Sequence, residues 1–128
     1  MKKVLIAVDV SGSMGGPVAD TEGCLTERIT NLLRAIHKGA TCILFDHLIV
    51  STLSPKDTFK FPDAGGGTDI QCVIDYIKKS KKTFDDVYII TDGMFPIAKL
   101  PNKRKYHFIL TMKDCARLRD YYPNVTVF

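Results

Sequence analysis

The chain has no long apolar run, no paired cysteines and no strong excess of charge, and each absence narrows what it can be. No hydrophobic stretch approaches the ~20 residues that cross a bilayer, so no membrane span is expected. Cys24, Cys42, Cys72 and Cys115 form no Cys-x-x-Cys pair. Each lies in or beside an apolar pattern, which reads as buried free thiols in a reducing compartment. His37, His47 and His107 are scattered without metal-ligand spacing. Neither His-Glu-x-x-His nor Gly-x-x-x-x-Gly-Lys occurs, so the chain carries no zinc-peptidase or phosphate-loop signature of its own. Repeats, linkers and low-complexity tracts are absent as well. The opening Met1-Lys2-Lys3 and short apolar run have the look of a signal peptide. Asp9 interrupts that run and no small-residue cleavage site follows, so a cytoplasmic location is expected.

A formal charge of +4 over 128 residues is mild. Two basic clusters stand out, Lys78, Lys79, Lys81 and Lys82, then Lys99, Lys103, Arg104 and Lys105. The simplest reading is a solvated helix end and a solvated loop. At 14.3 kDa, with 45% hydrophobic and 25% charged residues, residues 1–128 are expected to form one domain with a sizeable core.

What the chain does have is concentrated in Val4-Leu-Ile-Ala-Val-Asp-Val-Ser-Gly-Ser-Met14. An apolar run from Val4 to Val8 reads as a strand buried on both faces, as in the middle of a parallel sheet. It ends in an acid and two serines, where an open α/β sheet places its ligands. Gly15-Gly16-Pro17 makes a turn, and Asp20 or Thr21 offers an N-cap for a helix to about Lys38. Leu25, Ile29, Leu32, Leu33 and Ile36 supply its apolar face, and Gly39 its stop. Ala40 to Phe45 reads as the next strand. Leu48 to Leu53 follows too closely for a crossover, so it must form an antiparallel edge hairpin around Asp46-His47. A brief extended piece is expected at Phe59-Lys60-Phe61. Gly65-Gly66-Gly67-Thr68-Asp69 leads into a second helix, with Ile70, Val73, Ile74 and Ile77 inward and a Thr68–Gln71 capping box, ending near Lys82. Val87 to Ile90 is a third buried strand, closed by Thr91-Asp92-Gly93. Pro96 and Pro101 exclude a long regular helix between Met94 and Lys105. Tyr106 to Leu110 reads as a strand, Lys113 to Tyr121 as a short helix, and Val125 to Phe128 as a last strand. The sum predicts a three-layer α/β/α domain around a mostly parallel sheet with one antiparallel edge strand.

Three loops near carboxyl ends of strands thus carry Asp9, Ser11, Ser13, Thr68 and Asp92. Asp9-Val10-Ser11-Gly12-Ser13, then Thr68 after three glycines, then Asp92 in Thr-Asp-Gly, together resemble the metal-ion-dependent adhesion site of the von Willebrand factor type A family. The likeness spans nearly the whole chain. It implies that Ser11 and Ser13 ligate a cation through their hydroxyls, that Thr68 joins them when a ligand is engaged, and that Asp9 and Asp92 act largely through water. The donor chemistry agrees. Mg²⁺ takes octahedral oxygen geometry, keeps several waters and needs few carboxylates; Mn²⁺ and Ca²⁺ are the alternatives. Two acids and three hydroxyls leave such an ion able to accept one more carboxylate, supplied by a partner protein. Compact intracellular relatives of the family imply an AAA-type ATPase or a metallopeptidase-like protein as that partner. The resemblance therefore implies a binding module and not an enzyme.

Each residue also has a plainer reading. Asp9 and Ser11 are ordinary turn residues, Thr68 an ordinary N-cap and Asp92-Gly93 a common turn. Asp69 could orient the metal shell or simply begin the helix. Two rival functions stay open. A Mg²⁺-dependent phosphatase of the haloacid dehalogenase type also puts an Asp at a strand end, but Ser11 stands where that class resembles an acid needed for proton transfer. A nucleic-acid-binding domain would use the two lysine clusters and show steep salt dependence.

Overall fold

The computed structural model describes residues 3–11, 19–59, 67–80, 83–93, 95, 99–111 and 118–127, with the side chains of the first helix from Thr26 onward. Its centre is β1 (Val4–Asp9), whose six residues are all buried. Alternation along the strand divides them between two cores. Val4, Ile6, Val8 and then Val10 pack with Ile29 and Leu33 of α1 (Ala19–Ile36). Leu5 and Ala7 pack with Ile70, Val73 and Ile74 at α2 (Gln71–Lys79). A strand that must satisfy apolar partners on both sides has no polar face to spare, which is why the run reads as unbroken hydrophobic sequence.

Around β1 lie β2 (Thr41–Phe45), β3 (Ile49–Leu53), β4 (Asp86–Thr91), β5 (Tyr106–Leu110) and β6 (Val125–Val127), in the order β3-β2-β1-β4-β5-β6. All pairings are parallel except β2 with β3, an antiparallel hairpin with a register shift at Leu44/Phe45. The fold is α/β, with the antiparallel strand at the edge where its short connection requires it. The chain first builds outward from β1 through β2 and β3, then returns to the other side of β1 with β4. The carboxyl ends of β1 and β4 are therefore the point where the winding reverses, the usual place for a ligand in such sheets.

The first helix is rotated from the expected apolar face. Thr26, Ile29, Thr30 and Leu33 point inward, whereas Leu32 is 53% and Ile36 62% exposed. Two threonines with apolar methyl groups occupy inner positions that a count of leucines and isoleucines assigns elsewhere. The helix ends with Gly39 at φ +83°, as expected of a glycine stop. The second helix does not use the expected capping box. It starts at Gln71 after Ile70, which makes no side-chain cap bond. Asp69 Oδ1 accepts the Gln71 N–H at 2.9 Å, and the Gln71 amide donates instead to Asp75, 3.1 Å away. An acid one residue closer to the helix outcompetes the threonine hydroxyl.

Between β4 and β5 only a 3₁₀ turn, Lys103–Lys105, is regular among the described residues, in keeping with the two prolines. Residues 118–120 form another 3₁₀ turn and Tyr121 a turn; residues 113–117 of the expected helix, and Lys60-Phe61, lie outside the described residues. Phe95, Leu100, Leu118 and Tyr122 all join the core on the α2 face, where the Phe108 ring stacks on Phe95 and Tyr122 at 5.9 and 4.5 Å. No described helix is long and apolar enough to cross a membrane.

Two stability outcomes follow. Thr30 is fully buried and its hydroxyl finds no hydrogen-bond partner among the described residues. Thr30→Val should therefore raise the unfolding free energy by about 1 kcal/mol in urea titrations, since it removes an unsatisfied polar atom at nearly constant shape. Gly39→Ala meets no neighbour within 4 Å but inherits a positive φ, and should cost about 1 kcal/mol from backbone strain alone.

Candidate functional site

Pleating decides which side chains meet at the reversal point. Asp9 follows Leu5 and Ala7 on the α2 face of β1, and Thr91 follows Val87 and Ile89 on the same face of β4. The register that pairs Val8 with Ile90 sets these two residues side by side. Thr91 Oγ1 donates to Asp9 Oδ2 at 2.6 Å, and Thr91 Oγ1 itself accepts the Gly93 N–H at 3.1 Å. The other Asp9 oxygen, Oδ1, accepts the Ser11 N–H at 2.8 Å. Asp9, Ser11, Thr91 and Asp92 are all at most 1% exposed.

Neighbouring loops are pinned to the same end of the sheet. Val10 N–H donates to Phe45 O at 2.8 Å, fastening the β1 loop to the end of β2. Asp46, next along, accepts the Leu48 N–H on Oδ1 at 2.9 Å to close the hairpin. Its carbonyl accepts the Asp69 N–H at 3.0 Å, so the segment carrying Thr68 is tied to the carboxyl end of β2, one strand from Asp9. Thr68 is half-buried there. Ser13 lies outside the described residues. The structure thus brings Asp9, Ser11 and Asp92 together, and ties the segment carrying Thr68 to the end of the neighbouring strand.

Burial dominates the electrostatics. Loss of solvent pushes the Asp9 carboxyl up to about 6, against the pull of the Thr91 and Ser11 hydrogen bonds, and the nearby Asp92 charge raises it further. No basic side chain among the described residues offsets this. Taking the Asp9 carboxylate out of water beside a second acid costs free energy, and a cation placed there would offset it.

The donor set fits a hard cation better than any thiol or imidazole chemistry. No group of three or more His, Cys, Asp or Glu among the described residues is placed to hold a metal. Each Asp9 oxygen already accepts one hydrogen bond and keeps a second lone pair, suited to orienting a metal-bound water. The two described cysteines offer no reactive thiolate. Burial holds Cys42 at about 11, opposed by Arg34; burial and the charges of Asp69, Asp46 and Asp75 push Cys72, only partly buried, up to about 12. Both thiols stay protonated at neutral pH. Asp69 serves the first turn of α2, and Asp46 with His47, 3.1 Å away, serves the hairpin turn.

Thr91 is the residue that sequence reasoning passes over. The alternation Val87, Ile89, Thr91 places a hydroxyl on the core face of a strand that ends in an acid, but only the pairing of β1 with β4 reveals its partner. Neither the models of known protein families nor the sequences of curated proteins match this chain.

Asp9 makes the metal-free protein pH-sensitive. A carboxyl whose folded pKa is raised contributes stability that is present below its unfolded value near 3.8 and is lost as pH rises through about 6. Roughly two pKa units correspond to about 3 kcal/mol. In EDTA, Asp9→Asn should therefore be more stable than the parent at pH 7, by up to that amount, with the advantage shrinking toward pH 4 in denaturant titrations.

Proposed function

We propose that this chain is a von Willebrand factor type A-like domain of three-layer α/β/α form, a non-enzymatic module that binds a divalent cation, Mg²⁺ by preference, and through it a carboxylate of a partner protein. The observation that carries the reading is the pair of buried acids, Asp9 and Asp92, close together at the reversal point of the sheet, with Asp9 pushed up by burial and by the Asp92 charge. The antiparallel edge strand and one helix on each face agree with the same reading. In this reading Ser11 and Asp92 hold the ion's shell, and Asp9, which accepts a hydrogen bond from Thr91, orients a metal-bound water. Thr68 supplies a hydroxyl from the loop anchored on Asp46. Ser13 is assigned on the Asp-x-Ser-x-Ser spacing. A bound Mg²⁺ supplies an electrophilic position, and hydroxyl ligands leave it enough positive charge to attract an acid from outside.

The partner is a protein presenting an exposed Asp or Glu, of the AAA-type ATPase or metallopeptidase-like kinds that the resemblance implies. A phosphatase is disfavoured because Ser11, with no acidic side chain, follows Asp9 at the position where a proton donor would be needed.

Calorimetric titration with Mg²⁺, and Mn²⁺ monitored by electron paramagnetic resonance, should give one ion per chain. Ser11→Ala and Asp92→Asn should weaken binding by at least about tenfold, the loss expected when a ligand or its orienting group is removed. Partner capture from the native host should disappear in EDTA and respond little to salt. Absence of ion binding at millimolar Mg²⁺ overturns the reading, and turnover of an aryl phosphate that Asp9→Asn abolishes would replace it with the phosphatase.

A further inference from the structure

The strands' opposite ends carry opposite charge. Asp9, Asp46, Asp69 and Asp92 crowd the carboxyl end of the sheet. At the amino end stand Lys3 before β1, Lys38 between α1 and β2, and Lys103, Arg104 and Lys105 before β5. Clusters far apart in sequence are thus brought to one end: neighbouring strands lie ~4.8 Å apart, so Lys3 and Lys105, two strands apart, have backbones roughly 10 Å from each other. Lys3, Lys38, Lys103 and Arg104 are exposed. Acids stand at this end too, Asp57 after β3, Asp85 and Asp86 before and at the start of β4, and Asp120 before β6, but the cations outnumber them. Asp85 accepts the Lys3 backbone N–H at 2.7 Å, and Asp86 lies 3.0 Å from His107 Nε2.

Beside this basic row runs a ladder of rings. His37 and Tyr88 lie 5.0 Å apart between centroids, and Tyr88 and His107 stack at 4.8 Å with 19° between their planes. Tyr88 and His107 are register neighbours on β4 and β5, on the face of the sheet opposite α2. Among the described residues α1 packs on that face over β1 and β4, whereas Leu118 and Tyr122 pack on the other side. His107 keeps 30% of its side chain exposed. Beyond it, the next position is Asn124, whose side-chain amide donates to Arg104 O at 2.8 Å, and Thr126, opposite Ile109 on the outermost strand, is exposed. The ladder therefore ends in a partly exposed ring beside the basic row.

We infer that the amino end of the sheet binds single-stranded nucleic acid, with phosphates on Lys3, Lys38, Lys103 and Arg104 and a base stacked on His107. A row of cations beside a partly exposed ring on a sheet face is the combination such strands need: charge for the backbone, a π-face for the base. An acidic protein would satisfy the lysines but has no use for the ladder, and that difference selects the nucleic acid. Asp86 positions His107 by holding its Nε2, leaving the ring face outward.

Fluorescence anisotropy with labelled oligo(dT) and oligo(U) tests this. Binding should be evident at roughly 50 mM salt and fall steeply by 200 mM. His107→Asn keeps a donor for Asp86 but removes the ring, and should weaken binding about tenfold while leaving the salt slope unchanged. The exposed pair Lys103→Glu and Arg104→Glu should weaken binding and flatten the slope, with folding checked by circular dichroism. EDTA should have no effect, which separates this surface from the carboxyl end whatever the metal titration gives. The proposal is overturned if neither oligonucleotide binds at low salt, if His107→Asn leaves affinity unchanged, or if polyglutamate binds as tightly as the oligonucleotides. A preference for oligo(U) over oligo(dT), or the reverse, would identify RNA or DNA as the natural strand.

Discussion

Asp9 and Thr91 are 82 residues apart and share a hydrogen bond of 2.6 Å, and the rest of the site depends on it. It exists because β1 and β4 lie side by side with Val8 opposite Ile90, and because pleating turns both end residues to one face. A shift of one residue in that register would send Asp9 to the other face, away from Thr91 and from the loop carrying Thr68. The apolar partners of Leu5 and Ala7 on one side, and of Ile6 and Val8 on the other, resist any such shift. Core packing thus fixes the geometry of a polar site to which it contributes no polar atom.

The site also shows a tension between stability and binding. A sheet centre buried on both faces gives rigidity to whatever ends it, but it also strips water from two neighbouring carboxylates. The cost is visible in the upward shift of Asp9 to about 6. Hydrogen bonds from Thr91 and Ser11 recover part of it, and a cation would recover more. Such strain against stability is what a binding site in an otherwise well-satisfied core looks like.

Charge is sorted along the strands in the same way. Asp9, Asp46, Asp69 and Asp92 gather where strands end, while at the beginnings Lys3, Lys38, Lys103, Arg104 and Lys105 outnumber Asp85 and Asp86, so the two ends of the sheet favour partners of opposite sign. The modest net charge of the chain conceals this, because the two ends largely cancel.

Much of the architecture could be read from the residues. The apolar run of β1, the short Asp46-His47 connection that forces an antiparallel edge, the Gly39 stop and the limits of β5 all follow from local rules: side-chain periodicity, loop reach and glycine's access to positive φ. The local rules failed where two groups competed for one role. Thr26 and Thr30 took inward positions on α1 that Leu32 and Ile36 might have claimed on hydrophobicity, and Asp69 took the start of α2 from Thr68. Asp9, Ser11, Thr68 and Asp92 could be picked out as candidates because acids and hydroxyls at strand ends are recognisable along the chain. Which strands stand next to one another is not written in any short stretch. It is decided by how all the apolar faces are buried at once, and only that global solution set Thr91 on Asp9, brought distant lysines to one end and stacked His107 on Tyr88.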